Sequence, residues 1–71
     1  MNIKSEKIQL SIEIDEGIYN CIQRFIVDNP QWSRERLINA SMSLFLMQNY
    51  RNMNPNDYRI CSKKYLHSVC Q

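Results

Sequence analysis

Cysteine and histidine near the C-terminal end are the residue types in this chain best suited to hold a transition metal. They follow the pattern Cys-x5-His-x2-Cys, from Cys61 through His67 to Cys70. A closed zinc site takes four ligands, and its cysteines usually occur as closely spaced pairs. This stretch offers three ligands and no such pair, so a site would have to be completed by a second copy of the chain. We therefore predict no metal and no cofactor.

The residues needed for catalysis are scarce. The chain has 71 residues with one histidine and one glycine, and it therefore lacks a glycine-rich phosphate-binding loop. No pair of carboxylates falls on one face of a predicted pocket, and a chain of this length has little room for a pocket. We predict that the protein is not an enzyme.

Cysteine usage and hydropathy indicate a cytoplasmic protein. The three cysteines, Cys21, Cys61 and Cys70, are an odd number and are expected to be free thiols in a reducing compartment. The segment MNIKSEK is polar and does not resemble a signal peptide. The longest apolar cluster, from Leu44 to Met47, is far too short to cross a bilayer, so no membrane association is expected.

The charge is unevenly distributed along the chain. The formal net charge is +2. Residues 7–50 carry four basic and five acidic side chains, a net charge of −1, whereas residues 51–71 carry four basic and one acidic, a net charge of +3. The basic excess therefore lies in a C-terminal tail, whose basic residues are Arg51, Arg59, Lys63 and Lys64.

Residues 7–14 alternate strictly between polar and apolar side chains, which is typical of a half-buried β-strand. The apolar face holds Ile8, Leu10, Ile12 and Ile14, and the polar face holds Lys7, Gln9, Ser11 and Glu13. We find no second strand in the chain, and a lone strand leaves its backbone groups unpaired. The pattern predicts a strand that pairs with another molecule, after a polar arm over residues 1–6.

Two amphipathic helices are predicted to follow. Asp15 is a suitable N-cap, apolar residues recur at helical spacing from Ile18 to Ile26, and Pro30 ends the helix near Asp28. Ser33 is the next N-cap, and a second helix runs from residue 34 to about residue 48 or 50. Residues 52–57 have the composition of a linker. Residues 58–71 are expected either to form a short third helix or to stay irregular.

The second helix is apolar around much of its circumference, so we expect it to be buried on more than one side. One partner helix in so short a chain cannot cover it, whereas a second subunit could. We therefore predict a homodimer, as small domains often gain stability by association. Its predicted core residues are Ile8, Leu10, Ile12, Ile14, Leu37 and Leu44.

The segment KIQLSIEID followed by two capped helices resembles the ribbon-helix-helix dimers of the Arc, MetJ and CopG type. The resemblance covers residues 5–50. It implies a mainly α fold with one β-strand, in which two chains form an intertwined homodimer through an intersubunit two-stranded antiparallel ribbon. The segment NPQWSRERLINASMSLFLMQNY is also similar to a small, largely uncharacterised cyanobacterial family. That family shares an IEIPEELH-like strand end and an NPxWDxDRLxxAALSLFLLQN-like second helix.

The ribbon-helix-helix resemblance implies binding of double-stranded DNA by a transcriptional regulator or an antitoxin-like repressor, with the ribbon in the major groove. The residues implied to read bases are Lys7, Gln9 and Ser11. The residues implied to hold a phosphate at the start of the second helix are Ser33, Arg34, Glu35 and Arg36.

A second interpretation of the same sequence is a dimeric protein-interaction module that does not bind DNA. Glu13 would face the DNA, and residues 7–50 are close to neutral although phosphate contacts supply most non-specific affinity. The polar face of residues 7–14 would then be a solvated surface, and the basic tail would contact a protein partner. Trp32 is predicted to staple the second helix against Leu37, with partner binding as its alternative role.

Overall fold

The computed structural model describes residues 7–70, which form three α-helices. Helix α1 spans Glu16–Asp28, α2 spans Arg34–Asn49 and α3 spans Pro55–Val69. The predicted polar arm over residues 1–6 lies outside the described residues.

The predicted β-strand is wrong. Residues 7–15 have no regular secondary structure, and no strand occurs anywhere within residues 7–70. The structure therefore overturns the β-α-α ribbon-helix-helix fold, together with its intersubunit ribbon. A strand requires a second strand to accept and donate its backbone hydrogen bonds, and the chain has no other alternating segment. The alternation instead brings Ile12 and Ile14 against the helices.

Helix α1 confirms the prediction made from its caps. The carboxylate of Asp15 accepts a hydrogen bond from the Ile18 N–H at 3.3 Å, which satisfies one unpaired donor of the first turn. The helix ends at Asp28, and the Asn29 N–H donates to the Phe25 carbonyl at 2.9 Å. Pro30 then prevents the helix from continuing.

Helix α2 also starts and ends where the sequence predicts. The Ser33 hydroxyl accepts from the Arg36 N–H at 3.0 Å, and the helix ends at Asn49. Helix α3 is the third helix that the sequence left open. It begins inside the predicted linker, because the Asn54 side chain accepts from the Asp57 N–H at 2.8 Å and Pro55 suits the first helical position.

Helices α2 and α3 pack extensively against each other, whereas α1 makes few contacts with either. Three small side chains, Ala40 and Ser43 of α2 and Ser68 of α3, are buried. Small residues let two helix backbones approach closely. The Ser43 hydroxyl donates to the Asn39 carbonyl at 2.8 Å, with the Ala40 carbonyl as a second acceptor within 3.0 Å, so its burial does not leave the hydroxyl unpaired.

Arg36 lies on the same face of α2 as Ala40 and Ser43. Its guanidinium donates one hydrogen bond to the Ser68 carbonyl near the end of α3. It donates a second to the Gln31 carbonyl at 2.9 Å, in the turn between α1 and α2. One side chain thus holds the turn before α2 and the last turn of α3 in place.

Candidate functional site: an apolar groove between α1 and α2

The face of α2 that points away from α3 borders a groove of about 520 Å³. The other wall is α1, and the segment before α1 contributes two side chains. The residues that line the groove are Ile12, Ile14, Ile18, Cys21, Ile22, Phe25, Leu37, Ile38, Ser41 and Met42. Ser41 supplies the one hydroxyl of this lining, and that hydroxyl already donates to the Leu37 carbonyl at 2.7 Å.

The local sequence explains why these residues face the same space. Ile18, Ile22 and Phe25 are spaced four and three residues apart, which places them on one stripe of α1. Leu37 and Ser41 are spaced four apart on α2, and Ile38 and Met42, which also line the groove, lie on the side of α2 opposite Ala40. Helix α2 is therefore two-faced, with a face of small residues toward α3 and a face of large apolar residues toward the groove.

The apolar surface continues along α2 beyond the groove. A second hollow of about 380 Å³ is lined by Ser41, Met42, Phe45 and Leu46, and it shares Ser41 and Met42 with the first. Phe45 is 64% exposed although it is one of the largest apolar residues in the chain. The two hollows together form one continuous surface, which we call the apolar groove.

The described residues do not bury large apolar side chains in an ordinary hydrophobic core, and many of these side chains line the apolar groove instead. Among the described residues, Ala40 is the one hydrophobic side chain that is buried. Folded monomers rarely leave a large contiguous apolar patch in water, and such patches mark surfaces that another molecule covers. The arrangement is suited to binding an apolar protein surface.

The segment before α1 is held at its start by an ion pair. Lys7 Nζ lies 2.8 Å from Glu35 Oε2 in the first turn of α2. The hydrogen bond and the charge of Lys7 lower the pKa of the Glu35 carboxyl below its ordinary value, and the charge of Lys64 adds to the effect. Both side chains of the pair are largely exposed, so the pair contributes little to stability.

Four of the seven residues predicted for DNA binding have hydrogen-bond or ion-pair partners within the chain. Lys7 and Glu35 are paired with each other, the Ser33 hydroxyl caps α2, and Arg36 is bonded to Gln31 and Ser68. The remaining three, Gln9, Ser11 and Arg34, are exposed. Base contact by Lys7, Gln9 and Ser11 was implied by a ribbon that the described residues do not form, and it stays a prediction without that support.

The residues predicted for the dimer core divide into three groups. Ile12, Ile14 and Leu37 line the apolar groove. Ile8 is 86% exposed and Leu10 is 74% exposed, so neither is covered by its own chain. Leu44 is half-buried and does not line the groove.

Sequence reasoning recognised the apolar stripes of both helices and assigned them to a buried core. The groove residues absent from the predicted site were Ile18, Cys21, Ile22, Phe25, Ile38, Ser41, Met42, Phe45 and Leu46. Cys21, predicted to be a free thiol, is exposed in the groove. The width of the apolar surface on α2 was the signal that could have identified the groove.

Trp32 contacts both α1 and α2. Its ring packs edge-on against the Phe25 ring of α1, with 5.8 Å between the two ring centroids. The Arg36 guanidinium of α2 lies 4.1 Å from the centroid of the Trp32 ring. A guanidinium at this distance is attracted to the π-face of the indole. Trp32 therefore links Phe25 of α1 to Arg36 of α2.

The metal alternative receives no support from the described residues, in which no three His, Cys, Asp or Glu side chains are placed to hold an ion. All three cysteines are free thiols. In the part of the chain that the structure describes, no helix has both the length and the hydropathy needed to cross a membrane.

One comparison with known proteins gives a match. The model of a family described as "Protein of unknown function (DUF2811)" matches residues 9–69, which include all three helices. This agrees with the resemblance to a small uncharacterised family, whereas nothing supports the ribbon-helix-helix resemblance. No curated protein and no solved structure matches the chain.

Proposed function

Since the chain belongs to the family of proteins of unknown function DUF2811, whose description names no activity, we propose a function from the apolar groove. The protein is an interaction module that binds an apolar protein surface. The observation that carries this proposal is the continuous, largely apolar surface from Ile12 to Leu46, most of whose large side chains are exposed.

The chemistry of the lining favours a protein surface over a small polar ligand. Pockets for such ligands place a few polar groups to fix the ligand's orientation. Here the Ser41 hydroxyl is already bonded within α2, and the other groove side chains are apolar or a thiol. An apolar helix or segment gains by burying such a surface at about 25 cal/mol per Å².

Site-specific photo-crosslinking in cells that express the chain tests the proposal. A photoreactive phenylalanine analogue replaces Phe45 in the groove and, as a control, Val27 on the outer face of α1. Val27 is 77% exposed. It follows Ile18 by nine residues, which places the two on opposite sides of α1, so Val27 points away from the groove. We expect a crosslinked polypeptide from position 45 and little or none from position 27. Equal yields at the two positions would contradict the proposal.

A second candidate function is binding of double-stranded DNA, and the outer face of α3 favours it. Arg59 and Lys63 are four residues apart on this face and both are exposed. These two residues are not among the base-contacting residues that the ribbon implied. Their side chains would contact DNA phosphates rather than bases. A dimer would present two such faces.

The dependence of DNA affinity on salt concentration tests this second function. The double variant Arg59→Gln, Lys63→Gln should weaken binding uniformly across sequences. It should also reduce the slope of log affinity against log salt by roughly two for each copy of the chain in contact. A wild-type affinity that does not change with salt would exclude phosphate contact by these residues.

A further inference from the structure

We propose that the partner bound in the apolar groove is a second copy of this chain, in a two-fold symmetric homodimer. This inference rests on the proposed function and names the partner. It is carried by the area left exposed, by the reach of the segment before α1, and by the charge of the surface.

The exposed area matches what a dimer interface needs. The accessible surface of the whole chain is 6484 Å², whereas a folded monomer of its mass exposes about 4,700 Å². The seven residues outside the described range can expose at most about 1,200 Å², and a folded monomer the size of the described 64 residues exposes about 4,300 Å², so the described residues still exceed expectation by about 1,000 Å². A standard interface buries about 800 Å² on each partner.

Two exposed apolar groups of the chain, Ile8 with Leu10 and Phe45 with Leu46, do not cover each other within one molecule. Ile8 and Leu10 follow Lys7, which is tied to Glu35 at the start of α2. Phe45 lies ten residues further along that helix, a distance of about 15 Å. Ile8, Leu10 and Phe45 all remain exposed, so the chain's own segment leaves this end of the groove uncovered.

Two-fold symmetry resolves this separation. In a two-fold symmetric dimer, if a residue of the first copy contacts a residue of the second, the same contact also forms with the roles of the two copies exchanged. Ile8 and Leu10 of each copy then cover Phe45 and Leu46 of the other, and the α1 faces meet along the groove. Every large apolar group named here is covered by this single arrangement.

The charge of the surface does not oppose association of identical copies. Residues 7–50 have a net charge of −1 and contain all the groove residues. The basic residues of α3 lie on the other side of α2, away from the groove. Like-charge repulsion, which keeps strongly charged chains apart, is therefore small at this face.

Light scattering coupled to size-exclusion chromatography tests the proposal across a range of protein concentrations. We expect a mass of twice 8.5 kDa for the wild-type chain. Phe45→Glu and Leu10→Glu alter opposite sides of the proposed contact, and each should raise the dimer dissociation constant at least about 100-fold, because a buried charge without a partner is costly. Val27→Glu is the matched control and should leave the dimer intact.

Circular dichroism of each variant separates loss of association from loss of folding. Phe45 and Leu10 are exposed within the chain, so the glutamate variants should keep helical signal at high protein concentration. Should Phe45→Glu fail to fold, Ile18→Glu replaces it. That substitution puts a glutamate at the third position of α1, where it favours the helix start.

Isotope-filtered nuclear Overhauser measurements on mixed labelled and unlabelled chains locate the contact. We expect signals between the methyl groups of Ile8 or Leu10 and the Phe45 ring of the other copy. A dimer without these signals, or a monomer at millimolar concentration, overturns the inference. A monomer that still forms a groove-specific photo-crosslink with another protein would leave the proposed function standing, whereas a monomer without one would remove both.

Discussion

At the scale of single residues, Arg36 connects three parts of the chain. It donates to the carbonyls of Gln31 and Ser68, and its guanidinium lies over the Trp32 ring. A planar guanidinium can make these three contacts together, whereas a lysine ammonium is a point charge on a flexible stem. Arg36 is the residue by which the end of α3 is fastened to the start of α2.

Replacing Arg36 with lysine should therefore lower the free energy of unfolding by about 2 kcal/mol, although the charge is kept. Urea denaturation followed by circular dichroism measures this change. Arg34→Lys is the matched control, because Arg34 is exposed and is expected to change stability by less than about 0.5 kcal/mol. Equal effects of the two substitutions would show that the Arg36 contacts contribute nothing specific.

The Lys7–Glu35 ion pair gives a pH-dependent prediction. Because Lys7 lowers the pKa of Glu35, the pair's stabilising effect is present at neutral pH, above the unfolded-state pKa. It is lost as the pH falls through the lowered folded-state pKa. In Lys7→Gln, the pKa of Glu35 should rise toward its ordinary value, as measured by carbon-detected NMR titration of the carboxyl group.

The pair is largely exposed, so Lys7→Gln should hardly change stability at neutral pH. Lys63→Gln is the control for the titration, since it removes a lysine that does not contact Glu35. An unchanged Glu35 pKa in Lys7→Gln would mean that the segment before α1 does not lie against α2 in solution.

At the scale of elements, each helix begins at a side chain that accepts a backbone hydrogen bond. The N-cap residues are Asp15, Ser33 and Asn54. The cap of α3 is reciprocal, because Asn54 also donates through Nδ2 to the Asp57 carboxylate at 3.1 Å. This cap explains why a helix starts within a segment rich in asparagine and proline.

Asn54→Ala should destabilise the protein by about 1 kcal/mol, the usual effect of removing an N-cap. Asn52→Ala, two residues earlier in the same turn, removes an exposed side chain that does not cap the helix and serves as the control. Thermal unfolding of both variants measures the difference. The interpretation of Asn54 as a cap fails if the two variants melt alike.

The sequence predicts the elements that local chemistry determines. Helices α1 and α2 were found because caps such as Asp15 and Ser33, and the apolar spacing after them, lie within a few residues of one another. The strand prediction failed because strand formation depends on a second strand, which alternation from Ile8 to Ile14 cannot supply by itself. The alternation is present, but Ile12 and Ile14 line a groove beside helices, and Ile8 and Leu10 stay exposed.

The candidate site could be predicted only in part. The apolar stripe of α2 is visible in the sequence, yet its division into two faces depends on α3 packing against Ala40 and Ser43. That packing joins residues far apart in the chain. The contact of Arg36 with Ser68 likewise spans 32 positions and has no local signal.

At the scale of the whole molecule, the proposed binding in the apolar groove would make folding and association interdependent. A chain that buries few large side chains on its own would gain apolar contacts from the proposed partner. If that partner is a second copy, stability must depend on protein concentration by mass action. The midpoint of thermal unfolding should then rise by about 5 °C for each tenfold increase in concentration.

Scanning calorimetry at several concentrations measures this rise. Val27→Glu should show the same concentration dependence as the wild type, while Phe45→Glu should lose it. A wild-type midpoint that is constant over a hundredfold range of concentration would mean that the chain folds as an independent unit.

The pairing of α2 with α3, neighbours joined by a short turn, also has a kinetic consequence. Contacts between adjacent helices close small loops, and proteins dominated by them fold in microseconds to milliseconds. Docking of two chains is a bimolecular step whose rate scales with concentration. Refolding should therefore show a fast phase that is independent of concentration, followed by a slower phase that accelerates as protein is added.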